Sequence, residues 1–589
     1  MPDLLTEVEA ADTVTGKGLL RTLLCSGSPA AALPMNRGLS LTAWLGEVLR
    51  GTPRIVRTGD GRGPVAVLSH AWDKLDAWAR VRSPFRIFVF VQRARCLLLS
   101  CSLLALIGQS SWAQEPLSEA ARIATETPFL RNLRGAGGDP QTSVAQPDTS
   151  AKPSANLTTS IQDLLGPYGD PGGFRSFLQQ QGISYSLTYI GESFGSVSGG
   201  SRRGGVYEGR LDFQFDADLD RLLDWQGASI HSNLYQIHGT GISRYFVNNF
   251  ITVSATEALP SSRLYELWFE QRLFNDQLSI RFGQLASDTE FAVSQTGTLF
   301  INSTFGWPNI MAVIIPSGGP IYPLATPGVR AKYVPNKNLS LQVGVFNGDP
   351  AGAAQADNNP DPQRRNRTGT NFRTNDPALV VAEAAYAYGL EAYDNLEPGT
   401  VTLGGWYHFG RFNSLRSDEE RRSLVDPAST GIGRFYRGNN GIYAMIDQTV
   451  YREPDDPNDG ASVFVRVSSS PTDRNLLDFY FDAGIGYKGL LPGRSDDTVG
   501  VAFALSRISQ SARGFDTDAI FLTGESRPRR SSEAVLEATY QAVLAPGITL
   551  QPNFQYVFRP SGGVANPRSS FGERIENAAV FGLRATMRY

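Results

Sequence analysis

The chain has 589 residues, 41 % of them hydrophobic and 19 % charged, with a formal net charge of −3. This balance excludes both a fully disordered chain and a multi-helix membrane protein. A content of 60 Gly, 21 Tyr and 32 Phe against only 5 Met and 3 Cys favours strands, turns and aromatic girdles over helices. A helical span needs roughly 20 apolar residues, and beyond residue 107 no apolar run approaches half that length.

In chain order, residues 1–90 show scattered Gly, Arg and Trp without sustained periodicity and are read as an upstream extension outside the mature protein. Residues 91–113 have the three parts of a secretory signal peptide: Arg93 and Arg95, an apolar centre from Leu97 to Ile107, and the small-x-small site Ser111-Trp112-Ala113. Gln114 then begins the mature chain. No Met lies between Met35 and Met311, so a start beside the signal requires a non-Met codon, such as one read here as Val89 or Val91. All three cysteines (Cys25, Cys96 and Cys101) precede the cut, which suits export through an oxidising compartment. Residues 1–113 hold 13 Lys+Arg and 8 Asp+Glu, leaving 41 basic against 49 acidic residues, a net charge of −8, from Gln114 on. Such acidity argues against a nucleic-acid partner. Residues 114–180 read as a flexible tether rich in Pro, Gly, Ser and Thr; Ile161 to Leu165 and Phe174 to Leu178 suit a short helical plug or a periplasmic arm, and the residues leave both open.

From residue 181 the period becomes two. In Leu211 to Leu219 the odd positions are apolar and the even ones polar, and Ala579, Phe581, Leu583, Ala585, Met587 and Tyr589 alternate with Gly582, Arg584, Thr586 and Arg588. Strands are predicted over 183–190, 207–219, 227–238, 263–273, 277–285, 326–334, 339–347, 379–389, 400–411, 441–451, 460–467, 478–487, 497–508, 532–543, 548–559 and 575–589. Alternation alone also fits a soluble sandwich. Connection lengths decide: 286–325 and 348–378 are long, whereas Phe274-Asn275-Asp276, Pro335 to Asn338 and Ala545-Pro546-Gly547 are tight turns. An even number of strands joined alternately by long loops and short turns describes an all-β, transmembrane antiparallel barrel of about sixteen strands over 181–589, both ends periplasmic. Closure also removes every unpaired strand edge, which lipid does not tolerate, and a barrel of this size encloses an aqueous lumen.

The interval 286–325 is the candidate for a loop folded into that lumen. It carries Asp288, Glu290, Phe291, Asn302, Phe305, Trp307 and Asn309. Rings that stack on sugar C–H faces, beside carboxylates and amides that bond hydroxyls, suit a neutral polyol better than an ion; the alternative is that Phe305 and Trp307 only anchor the loop. On the wall, Glu266, Trp268, Glu270 and Arg272 share a face with Arg281 of the next strand. Opposed charges there would orient polar solutes, or merely stiffen the wall. Phosphate selectivity would need ladders of cations, but the strand region offers only Lys332, Lys337 and Lys488 among lysines, and Asp212, Asp216 and Asp218 oppose the arginines.

Gly182 to Glu192 (GISYSLTYIGE), Glu266 to Gln271 (ELWFEQ), Leu278 to Gln284 (LSIRFGQ), Asp288 to Phe291, Phe300 to Asn302 running on to Pro308, Tyr322-Pro323 and Pro327-Gly328-Val329-Arg330 follow in order. Together they resemble the carbohydrate-selective porins of the OprB type over roughly residues 160–589. The resemblance implies a sixteen-stranded outer-membrane barrel of a Gram-negative bacterium, with passive uptake of glucose and related sugars and no cofactor. Arg330, in the last motif, joins the candidate pore-lining set. The expected partners are neutral sugars, outer-membrane lipid and, through the terminal Tyr589, the barrel-assembly machinery; association into homo-oligomers is left open. The resemblance does not choose the sugar, and the loops Ala351 to Arg373 and Arg411 to Asn440 look particular to this chain.

Three other readings stay beside it: a general diffusion pore, an adhesin and an outer-membrane barrel enzyme. His231 and Ser232 are adjacent, so on a strand they point to opposite faces and do not form a base–nucleophile pair. Metal binding has little support, with Asp455, Asp456 and Asp459 read as a solvated turn. N-terminal sequencing of the exported protein should begin at Gln114; a longer mature chain would refute cleavage there.

Overall fold

The computed structural model describes residues 160–589 except 163, 354–358, 391–395, 455, 457, 525 and 570–571. The upstream extension, the signal peptide, residues 114–159 of the tether and Asp455 lie outside the described residues. The strands are β1 (Ile183–Gly200), β2 (Gly204–Asp218), β3 (Ala228–Gly239), β4 (Ser261–Leu273), β5 (Leu278–Leu285), β6 (Thr326–Asn336), β7 (Leu339–Asn347) and β8 (Ala378–Tyr388). They continue as β9 (Gly399–Asn413), β10 (Phe435–Arg452), β11 (Gly460–Ser469), β12 (Leu477–Lys488), β13 (Thr498–Ile508), β14 (Ser532–Ala545), β15 (Ile548–Phe558) and β16 (Glu576–Arg588). Each pairs with its sequence neighbours, and β1 pairs antiparallel with β16, so the sheet is a closed barrel. The seam is held by Leu187 and Tyr589, which exchange two backbone hydrogen bonds of 2.8 Å, and by a buried ion pair between Arg584 Nε and Glu192 Oε1 at 2.5 Å.

The period-two pattern sorts side chains between lipid and lumen as expected. Phe581, Leu583 and Met587 are exposed on the outer wall, while Arg584, between them in sequence, is buried inside. Sixteen strands occur where sixteen are predicted, but several run further toward the long-loop rim. β1 continues to Gly200 and β10 begins at Phe435, so β1 and β2 are joined by a short turn at 201–203, and the loop expected over Arg411 to Asn440 narrows to 414–434. Glycines on the outer faces of β1 and β2 leave clearance for neighbouring rings. A side chain at Gly191 would meet the Tyr207 hydroxyl, and one at Gly209 the His238 ring, 2.8 and 2.7 Å from the Cβ position. At the opposite rim, the described part of the tether forms a short helix, Phe174–Gln180. Its Arg175 guanidinium lies over the rings of Tyr185 and Tyr589, and Ile161 N–H donates to Arg588 O at 2.8 Å, so the segment rests on the ends of the terminal strands.

Two long loops turn into the barrel. The 286–325 loop follows the wall from β7 to β15, and the 240–260 loop, for which no role is expected from sequence, folds against it: Ala255 N–H donates to Ile301 O (3.0 Å) and Ser303 N–H to Thr252 O (3.1 Å). Wall carboxylates accept the loops' backbone N–H groups. Glu383 accepts from Ala292 (2.7 Å), Asp447 from Thr296 (3.1 Å), Glu537 from Ile301 and Asn302 (2.7 and 2.9 Å), and Glu533 from Phe250 and Ile251 (3.1 and 2.6 Å). Loop carbonyls are met by Arg466, itself paired with Asp482 at 2.6 Å, which donates to Ala292 O (2.6 Å) and Thr304 O (2.8 Å). Between these ties the loops bury Phe250, Ile301, Phe305, Trp307 and Ile310 against inward residues such as Phe464, Tyr480, Val535 and Val557. One side of the lumen is thus an apolar core, while the inward positions of β2 and β4 to β6 hold Arg210, Asp212, Glu266, Glu270, Arg281 and Arg330.

Removing one wall carboxylate should release its loop segment. Glu537→Ala leaves two buried N–H groups unsatisfied, at a cost of about 2–5 kcal/mol. Single-channel recordings should show a larger and noisier conductance for this variant. Unchanged conductance in a correctly folded barrel would count against the tie.

Candidate functional site

The tight 274–277 turn sets β4 and β5 in register, so that Glu270 lies opposite Arg281, and β5 pairs with β6 so that Arg281 lies opposite Arg330. Two guanidiniums side by side on neighbouring strands repel one another. Two carboxylates offset that repulsion: Glu270 from the wall and Glu290 from the inserted loop. Glu270 Oε1 lies 3.4 Å from Arg281 Nη2 and 3.1 Å from Arg330 Nη2, and also accepts from Ser279 Oγ at 2.6 Å. Glu290 pairs with Arg281 Nη1 and accepts from Arg330 Nη2 at 3.0 Å. The cluster carries two positive and two negative charges. It joins wall and loop where Glu290 and Arg281 keep partly exposed side chains, 18 % and 11 %.

Next to it stands Trp268. The Arg281 guanidinium lies 3.6 Å from its ring centre, and the His231 ring is stacked on it at 4.8 Å with planes 20° apart. His231 Nδ1 is in turn 2.7 Å from Asp216 Oδ1. Imidazole and guanidinium thus pack against the indole, and among the described residues its buried Nε1 has no hydrogen-bond partner.

The other sequence candidates divide. Glu266 is buried beside this group and accepts from Ala286 N–H at 2.9 Å, fixing the start of the inserted loop. Asp288 accepts from Tyr265 OH (3.0 Å) and Tyr322 N–H (2.9 Å), closing the loop's two ends on one another. Burial pushes the Asp288 carboxyl up to about 7 despite these donors. Burial acts on Glu290 too, but the Arg281 and Arg330 charges outweigh it and hold that carboxyl down to about 2, so it stays ionised. Arg272 lies further along β4 toward the short-turn rim, and among the described residues no ion pair joins it to the cluster.

Asn302 and Trp307 do not reach lumen water. Asn302 is fully buried, donates to Gln555 Oε1 (2.9 Å) and caps the helix Ser303–Gly306 through Thr304 N–H (3.1 Å). Trp307 is 1 % exposed and donates from Nε1 to Phe291 O at 2.9 Å. Phe291 and Phe305 are equally buried. The loop's rings therefore form its anchor, the alternative raised from sequence, because an inserted loop needs an apolar side to hold against the wall. Sequence reasoning missed the acids that tie the loops. Glu533 and Glu537 stand at inward alternate positions of β14, which marks them as lumen residues, but their partners are some 230 to 280 positions away.

The family model of the carbohydrate-selective porins, OprB family, matches residues 202–589. Porin B of Pseudomonas aeruginosa is 22 % identical over 447 residues, covering 71 % of this chain and 89 % of that protein. A putative porin, QuiX, of Acinetobacter baylyi is 20 % identical, covering 68 % and 90 % respectively. The high-pH structure of Pseudomonas putida OprB superposes with a TM-score of 0.63 at 21 % identity, covering 74 % of this chain and all of that one, and so shares the fold. A closed sixteen-stranded barrel, a lumen narrowed by an inserted loop and a family match over more than half of the sequence lead to one conclusion: this chain is an outer-membrane β-barrel belonging to the OprB family of carbohydrate-selective porins.

Proposed function

We propose that the protein passes neutral sugars of the glucose type by passive diffusion, and that the Glu270–Arg281–Arg330–Glu290 cluster with Trp268 is its selective constriction. The observation that carries this reading is the charge balance of the cluster. Two guanidiniums matched by two carboxylates offer donors and acceptors to hydroxyl groups while presenting no net charge to an ion. A ladder of unpaired cations would instead favour phosphate. Trp268 holds the Arg281 guanidinium against its ring, and Arg281 lines the path.

The same reading takes the short-turn rim, with both barrel ends, as periplasmic, and the long loops as the outer entrance. It needs no cofactor and no catalytic step. Tyr589, the aromatic residue that follows β16, is the group we assign to recognition by the barrel-assembly machinery.

Liposome swelling with the mature protein should show faster uptake of glucose and other monosaccharides than of a size-matched amino acid, and the advantage should shrink in Arg281→Ala and Trp268→Ala. Uptake ordered by size alone would leave a general diffusion pore; no uptake would move an adhesin or enzyme reading to the front. Glu290→Gln leaves two guanidiniums facing Glu270 alone, so reversal potentials in a salt gradient should move toward anion preference. An unchanged reversal potential would mean that Glu290 does not face the permeation path.

A further inference from the structure

The outer wall carries a concavity that solute passage does not use. A cavity of about 570 Å³ lies where β4 to β7 meet the 348–377 loop. Its floor is made by the outward side chains Leu267, Phe282, Val329 and Val345, each 41–51 % exposed. The loop is fastened across the wall: Leu264 N–H donates to Thr368 O at 2.9 Å, and Gln284 Nε2 donates to Gly369 O at 2.8 Å. This brings Phe372 to the cavity as a second apolar side, with its backbone at φ +44°, where a bulky L-residue rarely sits. Polar closure comes from the loop end, at Asn347, Thr374 and Asp376, where Asn347 Nδ2 donates to Asp376 Oδ2 at 3.0 Å and Arg373 Nε donates to the same oxygen at 2.8 Å.

We propose that this groove holds one acyl chain of a membrane lipid, its head-group end at Asn347, Thr374 and Asp376. The occupant follows from where the groove opens. Its floor continues without a break into the bilayer-facing wall through the exposed Val343, Leu341 and Tyr333 of β6 and β7. The medium at its mouth is therefore hydrocarbon, and an apolar slot with polar groups at one end matches the division of a lipid between chain and head group. Here the chain has a wall beneath it and Phe372 beside it.

The test is photolabelling of the mature protein in phosphatidylethanolamine vesicles doped with a phosphatidylethanolamine that bears a mid-chain diazirine. Adducts should concentrate on Val329, Phe282 and Phe372 over the equally exposed Phe581 on β16. Val329→Trp, which fills the slot, should reduce labelling at Phe372 to the level of Phe581, and Phe372→Ala should do the same at Val329, with the heat-resistant gel mobility of each variant confirming an intact barrel. Labelling spread over the wall in proportion to exposure, or unaffected by either substitution, would overturn the proposal. So would cross-links between copies through Val329, which would assign the groove to a second barrel.

Discussion

Irregular backbone at membrane depth has to find hydrogen-bond partners inside the protein, because neither lipid nor an apolar core supplies them. The barrel strands meet this requirement with one another. The two inserted loops cannot, and the wall meets it for them: Glu383, Asp447, Glu533 and Glu537 take loop N–H groups, and Arg466 takes loop carbonyls. A carboxylate that accepts two backbone donors binds more firmly than a neutral acceptor. Each such residue sets the depth and rotation of the loop segment it holds. The apolar contacts of Phe305, Trp307 and Phe464 then fill the space between fixed points rather than choosing them.

From that anchoring follows the position of the charge cluster. Arg281 and Arg330 are brought side by side by strand register alone, an arrangement unfavourable in isolation. Glu290 relieves it only because Ala286, Ala292 and their neighbours are tied to Glu266 and Glu383 on either side of it. Wall and loop are therefore interdependent: the arginines need the loop's carboxylate, and the loop's carboxylate is placed by wall acids that take no part in the cluster. Such a site resists collapse, since every charge in it already has a partner, and its groups stay fixed while solutes move past.

Much of this is legible in the sequence. The number of strands, their alternation and the inward face of Glu266, Trp268, Glu270 and Arg281 all follow from a period of two, which backbone geometry enforces without reference to distant residues. Strand ends were less legible. β1, expected over 183–190, runs on to Gly200. The 240–260 loop was silent because nothing local separates a loop lying over a barrel from one lying within it; only its apolar Phe250, Ile251 and Val253, odd in an exposed connection, hinted at burial.

Sequence by itself determined a closed, lipid-facing barrel with a polar interior, because alternation and connection length are local properties that each strand carries alone. It also singled out 286–325 as an inserted loop and placed Asp288, Glu290, Asn302 and Trp307 on it. Only the tertiary structure decided which of those four meet the lumen. Glu290 turns to the arginines of β5 and β6, whereas Asn302 and Trp307 are sealed against Gln555 and Phe291. The reason is physical: a loop has no fixed face until its partners are set, and for Asn302 that partner lies on β15, 253 positions away in sequence.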